Sequence, residues 1–83
     1  MIVKLLQSNR GKPSDKEVAI YVISDVKSYT LIENINKGSV LILQVGENEN
    51  TYCGGVFEKA YVMNDDGKTI DKIILIIPKE QQA

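Results

Sequence analysis

The chain has 83 residues, 43% of them apolar and 25% charged, with ten basic against eleven acidic side chains and a net charge of −1. That length holds one domain, near the lower limit for a hydrophobic core without staples, and the composition excludes wholesale disorder. Near-neutral charge argues against a dedicated nucleic-acid binder, since phosphate neutralisation supplies most non-specific affinity. With no histidine and one cysteine, the usual zinc ligand sets and any internal disulfide are excluded, and a cytoplasmic, reducing compartment is expected.

Met1 to Gln7 is apolar apart from Lys4 and is too short for a signal-peptide core or a membrane span. It reads as a first strand, the alternatives being a short amphipathic helix with Ile2, Leu5 and Leu6 on one face, or a disordered start. Ser8 to Asp15 is a cluster of turn formers. Lys4, Arg10 and Lys12 all precede the first acid, Asp15, and with Lys16 they form a basic segment able to meet phosphate.

The stretch from Glu17 to Val45 organises the prediction. Val18 to Ile23 is a nearly continuous run of β-formers, the pattern of a central strand covered on both faces. Ser24 or Asp25 suits an N-cap, and Val26, Tyr29, Ile32 and Ile35, with Leu31, recur at helical spacing. Lys37 and Gly38 suit a helix C-terminus. Ser39 to Val45 is a second strand of the buried type, so the stretch reads as a βαβ unit (17–45) with parallel strands and a right-handed crossover.

Gly46 to Gly55 reads as a long polar loop. Val56 to Met63 and Lys68 to Ile77 are strands joined by Asn64-Asp65-Asp66-Gly67, a hairpin signal, and Pro78 ends the second. Residues 79–83 form a polar tail expected to fray. The fold class predicted is α+β or α/β: a single two-layer domain over residues 1–83, with a mixed sheet of four to five strands, the βαβ unit and a C-terminal hairpin (56–77). One helix covers one face of such a sheet, yet the strands at 18–23, 40–45 and 73–77 are apolar on both. A second copy of the chain is the expected cover, giving a homodimer.

Chemistry is sparse. Cys53 beside Gly54-Gly55 is the one nucleophile, and lacking a histidine base it would need Lys59 or a helix N-terminus to lower its pKa. An apolar filler is the simpler reading, and a small cysteine-dependent enzyme remains an alternative. Glu47, Glu49, Asp65, Asp66 and Asp71 have no calcium-loop spacing. Gly54-Gly55 lacks the Walker lysine and the Rossmann glycines, and reads as a tight turn or a close backbone approach. Neither a catalytic residue, a metal nor a cofactor is expected.

Three stretches resemble the core domain of the SepF family, small proteins that tether a cell-division tubulin homologue to the membrane. They are Ser24-Asp25 through Lys37 to Leu43, Thr51 to Lys59 with its tyrosine and paired glycines, and Ile73 to Ile77 ending at Pro78. The family's second helix has only Gly46 to Asn50 in its place. The resemblance implies a dimeric, non-enzymatic α/β module that docks on another protein. Together these readings predict an interaction or assembly module, possessing no membrane span, whose partner-binding residues are Glu47, Asn48, Glu49, Tyr52, Asp65 and Asp66 on its polar loops. The alternative is a small nucleic-acid-binding protein using Lys4, Arg10, Lys12 and Lys16.

Overall fold

A computed structural model of the chain describes residues 1–8 and 19–79. Seven strands follow in order: β1 (Ile2–Gln7), β2 (Ile20–Ile23), β3 (Val26–Asn34), β4 (Gly38–Val45), β5 (Asn48–Cys53), β6 (Phe57–Met63) and β7 (Thr69–Ile74). They form a four-stranded sheet, β2-β1-β6-β7, and a three-stranded sheet, β3-β4-β5, with every named pairing antiparallel. Their inner faces enclose a core of Val3, Leu5, Val26, Leu41, Leu43, Ala60, Val62, Ile73 and Leu75.

The α+β or α/β expectation is therefore wrong, and the βαβ unit is absent among the described residues. The segment expected as a helix is β3, hydrogen-bonded to β4 from Val26↔Val45 to Asn34↔Gly38. A β-bulge between Val26 and Ser28 explains the misreading. The extra residue shifts the alternation, so the inward positions are Val26, Tyr29 and Leu31, a spacing that imitates a helix. Val26, Tyr29, Thr30 and Ile32 are β-branched or aromatic, types that lose side-chain freedom in a helix and fit a pleated surface. Asp25 is no N-cap but takes φ 58° at the bend between β2 and β3. Lys37 and Gly38 close a hairpin in place of a helix: Asn34 Oδ1 accepts from the amides of Asn36 and Lys37, each at 2.9 Å, and Gly38 has φ 84°.

Two further expectations change. β2 is an edge strand with Ile20 to Val22 exposed, rather than a covered central one. The polar stretch after Val45 is a two-residue turn at Gly46-Glu47 leading into β5, which pairs along β4 from Val45↔Asn48 to Val40↔Cys53. Asn48, Glu49 and Asn50 are poor strand formers, but an edge strand facing water demands only backbone pairing from them. The β6–β7 hairpin lies where the sequence places one. The Asn64 amide donates to the Lys68 carbonyl (2.9 Å), and the Lys68 amide to Asn64 Oδ1 (2.8 Å).

The sheets are joined at two corners. At one, Met1 and Val26 exchange backbone hydrogen bonds of 3.0 Å, carrying the β1–β2 ladder past the bend at Asp25. At the other, the chain leaves β7 and crosses to the three-stranded sheet. Here the Leu75 amide donates to the Glu58 carbonyl (3.0 Å), the Ser39 amide to the Ile76 carbonyl (2.9 Å), and the Ile76 amide to Ser39 Oγ (2.7 Å). Ser39 is buried there, and the Lys79 amide reaches the Asn36 carbonyl (2.9 Å). Residues 80–83 of the expected tail lie outside the described residues.

This crossing runs so close to Gly54 that a Cβ there would fall on the Ile76 carbonyl, while one on Gly38 would meet the Pro78 ring at 2.8 Å. Gly67, by contrast, has φ 88° and open space around it. Gly54→Ala is expected to lower the unfolding free energy by about 2–3 kcal/mol through overpacking. Gly67→Ala should cost about 1 kcal/mol from its backbone conformation alone. Urea unfolding of the two variants checks the order.

Candidate functional site

The two sheets differ on their outer faces. On the three-stranded sheet, cross-strand rows run Ile32–Val40–Cys53, Thr30–Ile42–Thr51 and Ser28–Gln44–Glu49. Five of these nine side chains are polar and uncharged or acidic, the others being Ile32, Val40, Ile42 and Cys53, and none is basic.

The outer face of the four-stranded sheet is different. Its rows run Ile20–Leu6–Lys59–Ile74 and Val22–Lys4–Tyr61–Lys72, followed by Ile2–Met63. Thr69 completes the Ile2–Met63 row, and the exposed Ile70 sits at the bulge between Thr69 and Asp71. Ile20 and Val22 are each 61% exposed, and Ile70 and Ile74 each 54%. All the charges in these rows are lysines. Lys72 Nζ lies 5.9 Å from the centre of the Tyr61 ring, a cation–π contact. Among the described residues the ion pairs are Met1–Asp65 and Lys27–Asp25, so Lys4, Lys59 and Lys72 have no carboxylate partner there.

The other predicted site residues fall in three places. Glu47 sits at the β4–β5 turn, and Asp65 and Asp66 at the β6–β7 turn. Both turns are at one end of the molecule, because Asn48 pairs with Val45, Val45 with Val26, Val26 with Met1, and the Met1 ammonium lies 3.4 Å from Asp65. Asn48 and Glu49 open β5, but Tyr52 is at its far end, its ring 5.4 Å from Phe57 and edge-on to it. Tyr21 meets Phe57 similarly at 5.7 Å. Of the basic residues, Lys4 is on the outer face of the four-stranded sheet, whereas Arg10, Lys12 and Lys16 lie outside the described residues.

Cys53 is exposed on the outer face of the three-stranded sheet and Lys59 lies on that of the other, so the thiol and the ammonium point to opposite sides of the molecule. Among the described residues no three histidine, cysteine, aspartate or glutamate side chains converge as for a metal ion. None of these residues forms a helix long and apolar enough to cross a membrane. A hollow of about 410 Å³ beside the β3–β4 turn is lined by Ile35, Asn36, Ile76 and Lys79, with one charge and no acid.

Leu6, Tyr61 and Met63, grouped on this face by the register, are not among the docking residues expected from the sequence. Their signal was apolar character on both sides of the strand.

The resolved pKa shifts move groups away from neutrality. The hydrogen bond from Lys27 holds the exposed Asp25 carboxyl below its usual range, and the same bond raises Lys27. Tyr29 is raised above its ordinary 10.0, chiefly by donating to Asp71 Oδ2 at 2.9 Å. That bond ties β3 to β7 across the two sheets. A phenol whose pKa is raised in the fold contributes fully below its unfolded value and loses that contribution as pH rises through the folded value. Tyr29→Phe should thus destabilise by about 1 kcal/mol at neutral pH. The gap should narrow above pH 10 in urea titrations taken from neutral to alkaline conditions.

No family model matches this chain, and neither a curated protein nor a solved structure matches it.

Proposed function

We propose that this chain is a non-catalytic interaction module that docks through the outer face of its four-stranded sheet. The observation that carries the reading is the composition of that face: exposed Ile20, Val22, Ile70 and Ile74 span both edge strands, with Leu6, Ile2, Tyr61 and Met63 between them. A contiguous apolar surface on a small soluble domain marks an interaction site, whereas isolated exposed apolar residues need no explanation. The doubly apolar runs at 18–23 and 73–77, which pointed to a missing layer, supply Ile20, Val22 and Ile74 of this surface. The unpaired Cys53 supports a reducing, cytoplasmic setting.

Ile20 and Val22 lie on an edge strand and pack little, so Ile20→Asp with Val22→Asp should leave the melting temperature nearly unchanged. In cross-linked affinity purification from native cells, the double variant should lose the partners recovered by the unaltered chain. Equal recovery by a folded variant overturns docking through this face.

A further inference from the structure

Accepting that the face docks a partner, we propose that the partner is a protein segment that presents carboxylates within an apolar surface.

The argument rests on where the lysines stand. Lys4 and Lys59 lie on the two central strands, β1 and β6, and Lys72 on β7, while the exposed aliphatic residues occupy the two edge strands. Lys4 and Lys72 are both direct cross-strand neighbours of Tyr61. They are therefore about 10 Å apart at Cα, and Lys59 is about 8 Å from each along a diagonal. Three lysines thus neighbour Tyr61 in the register, Lys72 with its ammonium over the ring, with Ile20, Val22, Ile70 and Ile74 on the edge strands and no acid in the rows between.

A cover made only of apolar groups would bury those charges unpaired, at a cost of several kcal/mol each. The occupant must bring negative charge opposite Lys4, Lys59 and Lys72 and apolar groups to the rest of the face.

Charge decides against a second copy packed face to face, which would bring six lysines into one interface with no carboxylate from these rows. Area points the same way. Four strands and three rows cover roughly 500 Å² including side chains, against about 800 Å² per partner in a stable interface. A single helix or strand fits this footprint better than a globular surface does.

An anionic bilayer prefers the reverse arrangement, apolar groups leading and lysines at the rim where they reach headgroups. Single-stranded nucleic acid binds through successive bases stacked on aromatic side chains, and the rows of this face offer Tyr61 alone. A helix with acids at i and i+4 spaces them 5–6 Å apart, within reach of two long lysine side chains.

The test is a titration of the ¹⁵N-labelled full chain, followed by amide chemical shifts. The probes are a short helical peptide with Leu and Glu on one face, its Gln and Lys counterparts, vesicles of phosphatidylserine and phosphatidylcholine, and oligothymidylate. The Glu peptide should shift Lys4, Lys59, Tyr61 and Lys72. It should bind about tenfold more tightly than the Gln peptide, and weaken with salt. Lys4→Glu with Lys59→Glu should move the preference to the Lys peptide. If that pair disturbs the spectrum globally, Lys4→Gln with Lys59→Gln should equalise the Glu and Gln peptides.

Equal affinity for Glu and Gln peptides, no response to any probe, or perturbation of the face by vesicles or oligothymidylate alone overturns the acidic partner. Docking through the face still stands in those cases if Ile20→Asp with Val22→Asp abolishes partner recovery. Shifts confined to other surfaces remove both.

Discussion

The fold depends on a backbone-to-backbone approach at which the chain beyond β7 crosses from one sheet to the other. Ile76 uses both its amide and its carbonyl on Ser39, one through the side-chain hydroxyl and one through the main chain. The Gly54 amide donates to the Ser39 carbonyl at 2.9 Å, so a buried serine collects three segments of chain. The space is available only because Gly38 and Gly54 lack side chains. Pro78 completes the corner by seating its ring against Gly38, at a position where the missing amide costs no ladder bond.

With that corner and the Met1–Val26 corner in place, two sheets too small to be stable alone share one core. Of its apolar side chains, the three-stranded sheet strongly buries only Leu41, Leu43 and Val26. Facing Val3, Leu5, Ala60, Val62, Ile73 and Leu75, those side chains become half of a common interior. The Tyr29–Asp71 bond adds a polar tie between the layers, and Phe57 gathers Tyr21 and Tyr52 from both sheets at the opposite end. No buried side-chain polar atom among the described residues is left without a partner, so the inward faces are satisfied and only an outward face asks for more.

What could be read from the sequence followed the strength of local signals. Strands at β1, β4, β6 and β7 were legible because their apolar runs are bounded by turn chemistry at Gly38, Gly46 and Asp65-Asp66-Gly67. β3 was not, because one bulge residue turned a period of two into an apparent helical period, and Ser24-Asp25 and Lys37-Gly38 imitate helix caps at its ends. The first stretch of the SepF resemblance depended on that helix, and the α/β fold the resemblance implied falls with it. β5 was hidden because its side chains are those of a loop, and only its pairing with β4 makes it a strand. The face proposed for docking was half legible: double-sided apolar strands suggested a missing cover, but cross-strand register was needed to show that Lys4, Tyr61 and Lys72 form one row.

That row also explains how the chain tolerates an uncovered apolar face. Long lysine side chains can lay their methylene stems along neighbouring aliphatic groups while the ammonium stays in water, and Lys72 sets its ammonium over the Tyr61 ring. Three like charges in one patch oppose the stacking of two identical faces, the association to which an exposed apolar sheet is most prone. In the docking proposed for this face, the same lysines oppose face-to-face self-association and favour an acidic partner. A neutral apolar segment gains the aliphatic contacts but leaves Lys4, Lys59 and Lys72 unpaired, whereas a segment carrying carboxylates gains both. Specificity arises from the charges and contact area from the aliphatic edges, so the apolar surface need not be large to be selective.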